Sequence, residues 1–387
     1  MNASLTDALA GPVPVPPGEQ PDQQPAPVDL VAIAGRTAEQ ADRTGVLAPE
    51  VVAALIAARV SGHFVPARWN GREGTFGELT RAMVDLGTAC ASASWVGSMS
   101  AYTGRFATHL PLAAQEEIWA DDPDVPWASG LVPAGRSRRT DHGYRLSGSW
   151  NYVSGCEFAG WLLLAGPGPA PDSGPPLFHA VPRGAFTIER TWDAVGMRAT
   201  GTHTVVLDDV EVPFHRTVPV RDVALGRNAT STVIPHNVPL PSLGGLTCVA
   251  PTLGAARAAL AGALATTGRR REALPVEARV GFDDAVTHAS ADLDAVTLVV
   301  DRIIDVLDSG RAGELALRNA RDAAWSARVL RDAVQRLLLV GGTSAQNRFG
   351  SLDRSWRDVL TGTSHAALRF DKVATAYGEA ATARAAG

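Results

Sequence analysis

Lysine is nearly missing from the sequence: Lys372 stands alone among 35 basic residues, the rest arginine. That is read as codon bias, not as function. Cysteine is almost as scarce. Cys90, Cys156 and Cys248 are three in 387 residues and show no CxxC spacing. An odd, scattered count argues against a disulfide framework or a zinc site and suits a reducing cytoplasm. No run of 18 or more apolar residues occurs, so no transmembrane helix is expected. The N-terminus has no basic stretch followed by an apolar one, so no secretion signal is expected either. Net charge is only −5, which gives no strong pull toward nucleic acid or anionic membrane. The histidines show no HxxxH or HExxH spacing, and no metal site is expected. No GxGxxG opens a helix after a strand, and no GxSxG elbow surrounds a serine, so neither a Rossmann site nor a hydrolase serine is read.

What is present is a large apolar fraction, 45% of the chain, enough for two or three linked layers. Residues 1–28 are expected to be an unstructured arm: "GPVPVPPGEQPDQQPAPV" holds seven prolines and few large apolar groups. Residues 29–122 carry helical periodicity, as in "TFGELTRAMVDLGTACASASWVGSMSAYTG". From 123 to 235 glycine and proline recur at short intervals. "GYRLSGSWNYVSG", "WLLLAGP", "PLFHAVPR", "FTIERTW" and "THTVVLDDVEVP" read as short strands of a compact barrel or sandwich. Residues 236–387 return to helical spacing and predict a bundle.

Helices, then a small β domain, then a helical bundle is an α+β order that few architectures share. With the segments "GTACASASWV", "GYRLSGSWNYVSGCEFAGW", "GMRATGTHTVVLDDVEVP" and "LDRSWRDVLTGTSHAALRFD", the chain resembles the acyl-CoA dehydrogenase fold. Within it, the likeness is to the two-component, flavin-dependent (group D) monooxygenases, relatives of p-hydroxyphenylacetate hydroxylase. The resemblance implies reduced flavin (FMNH2 or FADH2) delivered by a separate NAD(P)H-flavin reductase, O2 as co-substrate, and a homotetramer. It also implies that Ser154 helps hold the oxygenated flavin and that His365 acts as a base or orients the substrate.

The residues give their own reading of these segments. In "WNYVSG", Trp150 and Ser154 lie four apart, so a regular strand would turn both to one side. Trp150 would then cover a flavin edge beside the Ser154 hydroxyl; the alternative is a hairpin with an outward serine and a core tryptophan. Cys156 has no activating neighbour in sequence and is not read as a nucleophile. In "GMRATGTHTV", Arg198, Thr200 and Thr202 around two glycines suit phosphate or ring-edge contacts, or else a plain hairpin bend. His365 is a base able to work near neutral pH, or a packed helix histidine. Tyr102 and Arg105 in "AYTGRFATHLP" are candidate substrate contacts, Arg105 for an anionic or carbonyl-bearing group or else a solvated helix arginine; Arg357 and Asp358 are expected to pair across helices.

The expected reaction is hydroxylation of an aromatic or polyketide-type molecule, in secondary metabolism. N-oxygenation of an amine or amino sugar is the alternative. A dehydrogenase is disfavoured, because "LTGTSH" supplies no carboxylate between Asp358 and Asp371 to act as base. A flavin-free scaffold is the third class.

Overall fold

A computed structural model describes residues 29–168, 174–243, 245–347 and 350–386. The proline-rich arm therefore lies outside the described residues. Five helices come first: α1 (Leu30–Thr44), α2 (Pro49–Ala57), α3 (Phe76–Ala89), α4 (Ala91–Ala107) and α5 (Leu112–Trp119). The capping box expected of a Thr-x-x-Glu start opens α3. The Thr75 hydroxyl accepts from the Glu78 amide, and the Glu78 carboxylate accepts from the Thr75 amide.

Eight strands follow: β1 (Trp127–Gly130), β2 (Arg136–Arg139), β3 (Gly143–Val153), β4 (Trp161–Gly166), β5 (Leu177–Pro182), β6 (Thr187–Glu189), β7 (His203–Pro213) and β8 (Thr217–Pro219). They form two four-stranded sheets, ordered β1-β4-β5-β8 and β2-β3-β7-β6. The central domain is thus a sandwich, antiparallel apart from the β1–β4 pair. Leu162 and Leu164 of β4 face the sandwich interior, while Leu163 and Ala165 pack on the helical core. A sheet covered on both faces needs apolar residues at every position, which explains the unbroken "WLLLAG".

The C-terminal helices are α6 (Val220–Leu225), α7 (Leu246–Thr266), α8 (Val276–Asp308), α9 (Ala316–Val340), α10 (Gly342–Ala345), α11 (Ser351–Gly362) and α12 (Phe370–Ala386). α8 runs unbroken for 33 residues and stops just before Gly310, whose φ is 74°. α7 is the buried axis of the bundle. By length and composition the stretch Leu240–Ala273 would pass for a membrane span, yet 67% of its apolar window is buried inside the protein. It crosses α3 at Gly87 and Gly254, where a Cβ on Gly254 would stand 2.3 Å from the Val84 carbonyl oxygen. Only glycine allows the two backbones so close.

Candidate active site

α4 is the spine of the site. Among its 17 residues only Met99 is not buried. Trp95 on this helix holds the centre. Its indole Nε1 donates to the Ser154 hydroxyl at 3.1 Å, and its ring meets the His365 imidazole edge-to-face at 5.8 Å. Three parts of the chain therefore converge on one side chain: α4, the end of β3, and the turn after α11.

Ser154 reaches Trp95 because β3 loses its regular pairing. The register slips between Trp150 and Val153, and Tyr152 adopts a φ of 61°. This bulge corrects the expected shared face of Trp150 and Ser154. Trp150 points into the sandwich core, 1% exposed, and its indole donates to the Ala165 carbonyl at 2.7 Å. It lines no cleft. Cys156 is likewise buried, donating to the Gly201 carbonyl at 3.3 Å, and burial pushes its thiol up to about 11. A thiol held neutral is inert.

The segment "GMRATGT" is pinned to α11. The Met197 amide donates to Asp358 Oδ1 at 2.6 Å, and the Gly196 amide donates to the Thr361 hydroxyl at 3.1 Å. A Cβ on Gly196 would lie 2.0 Å from the Arg357 carbonyl oxygen, so the loop can seat on the helix only with glycine there. Arg198 turns away from the junction. It donates to the Asp42 carbonyl at 2.7 Å and the Ala194 carbonyl at 3.2 Å, bracing α1, which corrects its reading as a flavin contact. Thr200 and Thr202 do reach the site. The Thr202 hydroxyl bonds Ser154 at 2.9 Å and Thr200 at 2.6 Å, and Thr200 donates to the Met197 carbonyl at 2.9 Å.

Burial raises the Asp358 carboxyl to about 6 from an ordinary 3.8, more than its bond from Met197 lowers it. Between those two values the folded protein holds more protons than the unfolded chain, so this group's contribution falls as pH rises through that window. Asp358→Asn keeps an oxygen for the Met197 amide and removes the buried charge. It is expected to raise the urea midpoint at pH 8 and to lose that advantage at pH 4.5. An equal shift at both pH values would contradict the raised pKa.

His365 sits in the turn between α11 and α12, not inside a helix. Its Nδ1 accepts the Ala367 amide at 3.2 Å, capping the short 3-10 turn Ala366–Leu368. A backbone amide can only donate, so the neutral ring carries its proton on Nε2. One edge of the ring is open to water, and the protein packed around the rest holds its pKa below the usual 6.5. Gly245, just before α7, lies against Leu368 of the same turn; Gly244 is outside the described residues.

Tyr102 and Arg105 lie deeper along α4. Tyr102 is seven residues beyond Trp95, about 10 Å along the helix and on nearly the same face. Its hydroxyl lies near Thr80 and Thr247 without a well-oriented hydrogen bond. Arg105 is fully buried and donates to the Pro235 carbonyl at 2.5 Å and to the Val238 carbonyl. Its guanidinium lies 5.6 Å from the Phe76 ring centre, and its Nη1 has no hydrogen-bond partner among the described residues. Burial pulls its pKa down to about 10. Gly104 packs on the Ser61 carbonyl and Trp127.

The sequence reading missed Trp95. Its signal was available: it stands in the "SASWV" segment, two helical turns before Tyr102.

Comparisons with known proteins agree with this architecture. Residues 246–370 match the model of the acyl-CoA dehydrogenase C-terminal domain. The chain is 33% identical to the oxygenase component of an FADH(2)-dependent resorcinol hydroxylase from Rhizobium sp. (strain MTP-10005), over 91% of each protein. It is 30% identical to the flavin-dependent monooxygenase oxygenase subunit HsaA of Mycobacterium tuberculosis, over 81% of this chain and 83% of that protein. The crystal structure of the HsaA monooxygenase from M. tuberculosis superposes with a TM-score of 0.84 at 27% identity, covering 92% of this chain and 95% of that one. XiaF from Streptomyces sp., in complex with FADH2 and glycerol, superposes at 0.82 with 26% identity, covering 90% and 92%. The chain belongs to the two-component, flavin-dependent monooxygenases of the acyl-CoA dehydrogenase fold: it is an oxygenase component that uses reduced flavin and O2 and depends on a separate flavin reductase.

Proposed function

We propose that the chain hydroxylates an electron-rich aromatic or polyketide-type substrate at the Trp95–Ser154–His365 junction. The convergence of those three side chains on one point is the observation that carries this reading. The residues there suit a flavin ring: a buried indole, a serine hydroxyl and a threonine hydroxyl gathered at the meeting of sandwich and bundle. Ser154 would hold the ring's polar edge, with Thr202 and Trp95 backing it. When bound, reduced flavin supplies the electrons that activate O2.

His365 orients the substrate. With Nδ1 occupied by Ala367, its Nε2–H is the group free to donate to a phenolic or enolic oxygen. Acting as a base would first require moving the ring proton and losing the Ala367 bond. Orientation is therefore the role its resting hydrogen bonds favour. The nearby carboxylate Asp358 accepts from the Met197 amide and so is turned away from an amine substrate.

Arg105 Nη1 and the Tyr102 hydroxyl are buried donors awaiting an acceptor, and they would receive an oxygen at the far end of the substrate. Arg105→Gln is expected to raise KM roughly tenfold for a substrate bearing a carboxylate or ketone, one charged hydrogen bond's worth, with kcat nearly unchanged. For an analogue lacking that oxygen, KM should stay at the parent value. Equal losses for both substrates would assign Arg105 to packing alone.

The relatives' printed names support an aromatic substrate: resorcinol for one and indole-3-acetate for another. Assembly as a homotetramer belongs to the same reading. NAD(P)H as the reductase's electron source, a cytoplasmic location and a place in secondary metabolism complete the reading. Its test is incubation with reduced FAD and 18O2 against panels of phenols and amines. One labelled oxygen in a phenolic product is expected; label appearing only on nitrogen would overturn the aromatic reading.

A further inference from the structure

We propose that the threonines behind Ser154 fix the direction of its hydroxyl and so make the site select reduced flavin over oxidised flavin. The inference rests on Ser154 facing the flavin, as proposed above.

The direction follows from counting protons. The Met197 carbonyl oxygen can only accept, so at 2.9 Å the Thr200 hydroxyl donates to it. Thr200 has no second proton, so across the 2.6 Å contact Thr202 must donate to Thr200. Thr202 is then spent, and across 2.9 Å Ser154 must donate to Thr202. The Trp95 indole can only donate, which gives Ser154 an incoming bond at 3.1 Å. The result is a one-way chain: Trp95 to Ser154 to Thr202 to Thr200 to Met197. Reversing any link would set two lone pairs against each other. Thr200 is 1% exposed and Thr202 7%, so bulk water cannot rewire the chain. The far end is held in turn, since the Met197 amide is tied to Asp358.

Ser154 is therefore left with one free lone pair and no free proton. It can accept a hydrogen bond from a ligand but cannot donate one. A reduced isoalloxazine carries a proton on N5 and is a donor there; the oxidised ring has a bare lone pair. The chain thus offers the reduced ring a hydrogen bond and the oxidised ring a repulsion. For an enzyme fed by a diffusing reduced cofactor, this favours loading the reduced form and releasing the spent one. Thr202 is a positioning residue in this account, and Thr200 acts at one remove, touching no ligand.

The experiment is anaerobic titration of the full-length protein with FAD and with dithionite-reduced FAD, comparing the two dissociation constants. The wild type is expected to prefer reduced FAD. Thr202→Val frees the Ser154 proton; Thr200→Val frees Thr202 to donate to Ser154, which frees the same proton indirectly. Both should cut the preference by about three- to tenfold, the scale of one hydrogen bond. Thr202→Ser keeps the chain and should keep the wild-type ratio. Valine variants that bind reduced FAD with an unchanged ratio would overturn the chain and leave the proposed function standing. A wild type that binds no reduced FAD would overturn the assignment of the site itself.

Discussion

His365→Ala is expected to lower product formation about a hundredfold, the usual scale for losing a group that handles a proton at the substrate, while reduced-flavin binding stays intact. Two further readouts separate donation from proton abstraction. A glutamine at 365 keeps an N–H donor and cannot act as a base, so His365→Gln should recover part of the lost rate if the ring's task is to orient. No recovery would favour abstraction. The second readout is pH. Burial lowers the imidazole pKa from its ordinary value, so the wild-type rate should be level at neutral pH and above and fall on the acid side, further down than a free imidazole would set it. Protonation would put an N–H on Nδ1 facing the Ala367 amide, which sets two donors against each other and loosens the turn. His365→Gln should lack that acid limb. An unchanged rate in His365→Ala would make the residue a turn cap and nothing more.

Arg357→Ala is expected to cost about 3–5 kcal/mol of stability, the range for stripping one partner from a buried ion pair. Asp42 is only 3% exposed, and Arg357 meets both of its carboxylate oxygens, at 2.9 and 2.6 Å. The same guanidinium bonds Asp353 at 2.8 Å and the Val195 carbonyl at 2.7 Å. Its pKa is raised, with the bond to Asp42 as the largest cause. Asp42 left alone would be a carboxylate with little water and no counter-charge. The double variant Asp42→Ala/Arg357→Ala should be less destabilised than the sum of the two single changes. Urea midpoints at pH 7 measure all three. A loss below about 1 kcal/mol for Arg357→Ala would place the pair with ordinary surface bridges.

Much of the layout was legible because each segment repeats its own period. The β7 stretch "HTVVLDDVEVP" and the β4 run "WLLLAG" announce strands, and α9 shows its apolar stripe. The site was legible only in pieces, for separate physical reasons. Period two put Trp150 and Ser154 on one face, and a single left-handed residue, Tyr152, undid it. Trp95 was passed over because α4 is buried all round, so no stripe sets one side chain apart. Arg198 looked like a ligand contact because its partner, Asp42, is 156 residues away in the chain. The Arg357–Asp42 tie spans 315 residues, and no local pattern reports it. His365 was found as a residue but not as a cap, since the turn after α11 has no periodicity of its own.

With the site as proposed, the buried run of α4 would work as a ruler. Trp95 would mark its zero at the cofactor side, and Tyr102 and Arg105, the proposed anchors, stand two and nearly three turns along it. Each turn is about 5.4 Å, so substrate length would be graduated in helical steps, not along a continuous scale. Ser98, one turn from Trp95, already points its hydroxyl at the Thr247 carbonyl from the start of α7. Moving the anchor to that rung would admit only a shorter molecule, with Trp95 and Ser154 untouched. Size preference and oxygen chemistry would thus be adjustable at different marks on one rigid rod.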